Sequence, residues 1–269
     1  MTISKALLQT LLLFLFITLI GGTITFGGYF LKYQEYTSPI ISAISLIVSY
    51  WLFYRFILKS NPKFNEISLS TIKDSYIFPA IVIVIGLKLF TQPIFDLLQP
   101  FLVAEEFKEL FQGRQFQNKE FTISFALMAI PGLLIAPIIE ELFFRKYLLK
   151  ELLQKNSARN SILISSICFS LVHIPNYTNL IPTFLFGLVL GYIKVKTKNI
   201  SLCVLMHFIF NLLVTLLSLY GKYFYENLHN LNYNTTYWLI SSSGIVLVFF
   251  GLRYISKTRT HDDILLKKL

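Results

Sequence analysis

Three short stretches carry reactive side chains inside otherwise apolar runs. "EELFFR" at 140–145 holds two adjacent carboxylates and a guanidinium, "FSLVH" at 169–173 ends in an imidazole, and "HFIFN" at 207–211 sets an imidazole and an amide four residues apart. A charge at the centre of a bilayer costs about 3 kcal/mol or more unless it is paired or faces water, so each of these residues is a candidate functional group. Glu141 and Arg145 lie one helical turn apart and can pair along one face, either as part of a site or as an ion pair that only specifies packing. Glu140 then faces about 100° away, free for other work. His207 and Asn211 share a face. They can donate jointly to an oxyanion, His207 can ligate a metal while Asn211 orients it, or the two can clamp neighbouring helices. Taken together, a glutamate, two histidines and an asparagine on three helices are the parts needed for hydrolysis within a membrane. A carboxylate removes a proton from water, an imidazole shares it, and further donors stabilise the tetrahedral intermediate.

The elements that must position these groups are membrane helices. The 269 residues are 55% hydrophobic and 14% charged, with a mean hydropathy of +0.63, beyond what one water-soluble core requires. Apolar stretches at 6–26, 40–58, 76–98, 121–149, 159–174, 178–195, 200–220 and 236–256 predict an all-α, polytopic protein with about eight transmembrane helices. The short pair at 159–174 and 178–195 could also form a re-entrant hairpin. With the N-terminus inside, most of the 24 Lys and Arg residues fall on one side, so the positive-inside rule places both termini in the cytoplasm. The net charge of +10 is then a consequence of topology, and nucleic acid is not an expected partner. The first apolar segment lacks a cleavage site and reads as a retained helix. Cys168 and Cys203 fit neither a disulfide framework nor a zinc motif and read as core residues.

No linker or repeat divides the chain, so 1–269 reads as a single membrane domain, with a catalytic core at 121–220 that gathers most of the polar residues at membrane depth. Pro131 and Pro137 precede the glutamates and would loosen the backbone where a cavity could open. At 1.5 Å per residue, Glu140 and His207 lie roughly 12–20 Å from the cytoplasmic ends of their helices, and His173 lies further out. The segment 98–121 spaces Phe101, Phe107, Leu110 and Phe111 among charges, as an interfacial amphipathic helix would. Lys88, near the middle of the third span, could pair with a carboxylate or receive a substrate's C-terminus.

The three stretches, in this order, resemble the EExxxR, FxxxH and HxxxN/D motifs of the CAAX-protease and bacteriocin-processing (Abi) family. The resemblance covers residues 140–211 and says little about the N-terminal third. It implies an intramembrane endopeptidase acting on membrane-associated or lipid-modified peptides or proteins. Glu140 would activate water with His173, His207 and Asn211 would support the oxyanion, and Glu141 and Arg145 would hold the geometry and electrostatics. Glu140, His173 and His207 could also bind Zn²⁺ with one position open, although there is no HExxH, and metal-free glutamate chemistry needs only the same groups. The expected partners are a peptide or protein substrate at the membrane and the bilayer itself. The abundance of Lys, Ile, Asn and Phe suggests an AT-rich bacterial genome, and hence a multi-pass protein of a bacterial plasma membrane. A non-catalytic immunity or scaffold protein of the same architecture is the competing expectation. A proton-coupled transporter is disfavoured, because no inverted repeat is visible.

Overall fold

A computed structural model describes residues 1–30, 37–62, 64–102 and 118–266. Among these residues there is helix and no strand. The helices are α1 (Ile3–Phe30), α2 (Thr37–Phe56), α3 (Ile77–Leu102), α4 (Ile123–Leu153), α5 (Ala158–Leu171), α6 (Leu180–Thr197), α7 (Ile200–Tyr220), α8 (Lys222–Asn230) and α9 (Thr235–Leu266). All eight expected apolar segments appear as helices. Six contain stretches long and apolar enough to cross a membrane, while Ile40–Phe56 in α2 and Ala158–Leu171, the whole of α5, fall short of that length. The protein is thus an all-α, multi-pass integral membrane protein. Its outer surface is apolar, with Leu8, Leu11, Leu19, Phe249 and Phe250 exposed, as a hydrocarbon solvent demands. The short helix α8, between the last two apolar segments, was not anticipated from sequence. The expected amphipathic helix at 98–121 falls largely outside the described residues.

Local sequence explains where the site-bearing helices begin. The Thr122 side chain accepts a hydrogen bond from the Phe125 N–H, Ser157 from Asn160 and Asn199 from Leu202, capping α4, α5 and α7. α6 ends at Lys198, whose φ of 57° is left-handed, so the chain turns into α7 within two residues.

Helix packing relies on small residues. α3 and α9 meet where a Cβ on Gly244 would come within 2.3 Å of the Gly86 carbonyl oxygen, an approach only glycine permits. α5 and α6 meet at Gly187 against Ser166 and at Gly191 against Ile162. The core runs from Phe53 on α2 through Phe143 and Phe144 on α4 to Phe169 on α5 and Met206 on α7.

α4 departs from regular geometry twice, and both departures bear on the site. Residues Pro131–Ile135 and Leu142–Leu148 are π-helical, flanking the turn that carries Glu140 and Glu141. In the first stretch the Ala136 N–H reaches back five residues to Pro131. The next donor in that register would be residue 137, which is proline and has no N–H. The Gly132 carbonyl is thereby left for a partner on another helix. In the second, the Phe144 carbonyl accepts both the Leu149 N–H and the Ser165 hydroxyl, the latter at 2.9 Å. A side chain inserted into the ladder is a recognised cause of such widening.

Candidate active site

Glu141 is completely buried and sits at the centre of the polar cluster. Its Oε1 lies 2.9 Å from His207 Nδ1, and its Oε2 lies 3.2 Å from Arg145 Nε. The first contact is a hydrogen bond. The second is a charge contact whose alignment falls short of one, since neither atom counts as hydrogen-bonded. The expected Glu141–Arg145 pair is therefore present, and Glu141 also gains a partner, His207, that sequence spacing did not indicate. With Nδ1–H donated to Glu141, His207 presents Nε2 on its other side. That atom lies 3.9 Å from Glu140 Oε2, too far for a direct hydrogen bond and close enough for one water to bridge. Glu140 Oε2 is itself buried with no hydrogen-bond partner.

Phe169 organises the surroundings. The Arg145 guanidinium stacks 4.1 Å from its ring centroid, His207 meets it edge-on at 5.8 Å, and His173, four residues along, tilts against it at 5.0 Å. Phe186 on α6 closes the other side of His207 at 5.2 Å. Phe169 lies in the "FSLVH" stretch, where its spacing of four from His173 was the available signal for this role.

His173 lies just beyond the end of α5, half-buried, with Nδ1 2.9 Å from the Phe169 carbonyl oxygen. That bond directs Nε2 away from the backbone as the available nitrogen. Among the described residues no hydrogen bond joins His173 to Glu140, whose nearby imidazole is that of His207. Asn211 donates its amide to the Gly132 carbonyl at 2.7 Å, supplying the donor that Pro137 cannot. This is the interhelical clamp among the alternatives open at the sequence level, and it commits one of the two amide hydrogens. Glu140, Glu141, Arg145 and His207 thus form one connected group, with His173 beside it across Phe169 and Asn211 one turn beyond His207.

Regarding the Zn²⁺ expected of Glu140, His173 and His207, no three His, Cys, Asp or Glu residues converge as a metal-holding group among the described residues. His173 Nδ1 is held by a carbonyl, and Glu141 is engaged by His207 and Arg145. Cys168 and Cys203 are both free and buried, as expected of core residues. Among the described residues Lys88 reaches no carboxylate directly. Its Nζ donates to Gln92 at 2.9 Å, Gln92 donates to Asp96 at 2.8 Å, and the Tyr237 hydroxyl donates to Asp96 at 2.7 Å. The result is a polar ladder along α3 that ends on α9.

Comparison with known proteins bears on the same helices. Residues 122–213 match the family model described as type II CAAX prenyl endopeptidase Rce1-like. The chain is also 28% identical over 111 residues to a Bacillus subtilis protein named "Putative membrane peptidase YdiL", a match covering 40% of this chain and 45% of that protein. No solved structure matches it significantly. The matched segment runs from the N-cap of α4 past Asn211 and so contains every polar group of the cluster; over these residues the chain is similar to the Rce1-like family.

Proposed function

We propose that the protein is an intramembrane endopeptidase that hydrolyses a peptide bond in a membrane-associated or lipid-modified polypeptide. The observation that carries this reading is Glu140 Oε2, buried and without a hydrogen-bond partner, facing the Nε2 of a histidine whose other nitrogen is held by Glu141. An orphaned carboxylate oxygen in such a setting is costly to maintain and suits a group that takes a proton from water. The family match and the similarity to a protein named as a membrane peptidase support the same class of reaction.

In this reading Glu140 removes a proton from the attacking water as its oxygen bonds to the scissile carbonyl carbon. His173, with Nε2 free, helps orient that water. His207 and, one turn along the same helix, the second amide hydrogen of Asn211 support the oxyanion that forms. The carbon–nitrogen bond then breaks, and the leaving amine takes the proton from Glu140. Arg145 balances the Glu141 carboxylate, which lowers the cost of keeping both charges within the membrane.

Replacing Glu140 with Gln keeps the shape and removes the base, and turnover should fall by about 10²–10⁴. The test compares membrane-peptide profiles by mass spectrometry between wild type and Glu140→Gln expressed at equal levels. A precursor that accumulates only in the variant is the expected result. Identical profiles with an intact cellular phenotype would overturn the enzymatic reading.

A further inference from the structure

A second polar feature lies at the other end of α4. A cavity of about 720 Å³ opens between the end of α2, the last turns of α4 and the end of α6. Its lining includes Arg145, Lys146, Lys150, Lys194 and Lys198, against two carboxylates, Glu66 and Glu151. Part of this charge is already engaged. Lys146 pairs with Glu66 at 2.7 Å, and Lys194 donates to the Lys198 carbonyl at 2.7 Å. Lys150 and Lys198 have no carboxylate within salt-bridge distance among the described residues, and Arg145 Nη1 and Nη2 are buried without hydrogen-bond partners. Glu140, His173, His207 and Asn211 do not line this cavity.

The lining also has an apolar side. Leu58, Leu142, Leu149 and Val195 contribute to it, and two of its residues, Tyr54 and Leu142, also line a small, wholly apolar pocket of about 70 Å³. Ile47, Trp51 and Ile139 line that pocket, and Ile47 and Trp51 are among the exposed apolar residues on the outer face of α2. A cationic chamber therefore adjoins, across Tyr54 and Leu142, an apolar slot bordered by lipid-facing residues. A soluble anion would use only the chamber, whereas an amphiphile with a charged head and a hydrocarbon tail matches both parts. The lysines concerned belong to segments that the charge distribution assigns to the cytoplasmic side, where anionic lipid headgroups meet basic pockets between helices.

We infer that this cavity is a binding site for an anionic phospholipid, whose phosphate is held by Lys150 and Lys198 and whose acyl chain lies along Tyr54 and Leu142 toward Ile47 and Trp51. The site goes beyond the peptidase reading, and its test reads binding alone.

The test is native mass spectrometry of the purified full chain in mild detergent, titrated with phosphatidylglycerol and with phosphatidylcholine of the same acyl chains. Thermal unfolding in 10 mM-scale inorganic phosphate serves as the soluble-anion arm (roughly the concentration at which a weak phosphate site fills). Phosphatidylglycerol should occupy one saturable site and phosphatidylcholine should not. Lys150→Ala combined with Lys198→Asn, the asparagine chosen because it tolerates the left-handed backbone at 198, should weaken phosphatidylglycerol roughly 30-fold, from about one near-surface charge contribution per lysine. Lys150→Arg with Lys198→Arg should retain binding, which separates loss of charge from loss of fold. Equal retention of the two lipids, or unchanged binding by the Ala/Asn variant, would overturn the inference. So would inorganic phosphate stabilising the protein as much as phosphatidylglycerol does, which would assign the chamber to a soluble anion.

Discussion

Glu141 holds two partners at once, His207 through one oxygen and Arg145 through the other, and it does so with no exposure to solvent. Removing its charge leaves Arg145 buried and uncompensated, which typically costs about 3–5 kcal/mol. It also frees the His207 ring to rotate. Glu141→Gln should therefore lower both the unfolding temperature and kcat, whereas Glu140→Gln should lower kcat with little effect on stability, because Glu140 Oε2 has no hydrogen bond to lose. Thermal unfolding and turnover measured on both variants check this. Equal stability losses in the two would contradict the division of roles between the adjacent glutamates.

At the scale of elements, α4 and α7 are joined by an exchange between a proline and an asparagine. Pro137 removes a backbone donor and Asn211 supplies one to the exposed Gly132 carbonyl. Asn211→Ala should cost about 1–3 kcal/mol for the carbonyl left unsatisfied. Pro137→Ala restores a backbone N–H in the same register, so in the double variant the penalty for losing Asn211 should shrink. A double-mutant cycle on unfolding free energy would read a coupling of about 0.5–3 kcal/mol if the two act on one carbonyl. Strict additivity would show that the clamp and the π-helical turn are independent. The close approach of α3 and α9 at Gly86 and Gly244, together with the ladder from Lys88 to Asp96 and Tyr237, holds the opposite wall of the bundle.

For the whole molecule, the distribution of charge implies an orientation that the arrangement of helices makes testable. Lys150 at the end of α4 and Asn230 at the end of α8 are both exposed and should lie on opposite faces of the membrane. Single-cysteine variants Lys150→Cys and Asn230→Cys, probed with an impermeant thiol reagent on intact cells, should label only at 230, while Lys150→Cys should label after permeabilisation. Cys168 and Cys203 are buried, so the background from native thiols should be low. Labelling at 150 on intact cells would invert the topology and remove the cytoplasmic setting of the phospholipid site.

The sequence by itself determined the class of the protein and the parts of its candidate site. Hydropathy located every apolar helix, because a segment in lipid must satisfy its own backbone and leaves a long apolar signature. Helical spacing was enough to pair Glu141 with Arg145, since i and i+4 meet on any regular turn. Contacts between helices were decided only by the tertiary structure, because their partners lie 66 residues apart, as with Glu141 and His207, or 79 apart, as with Asn211 and Gly132. The approach of Glu140 to His207, the place of Phe169 beneath Arg145, and the cationic chamber beside an apolar slot likewise depend on how the helices pack. Periodicity shows which face of a helix a residue occupies; which neighbour that face meets is set by close approaches, such as those at Gly187 and Gly191, that only the folded bundle reveals.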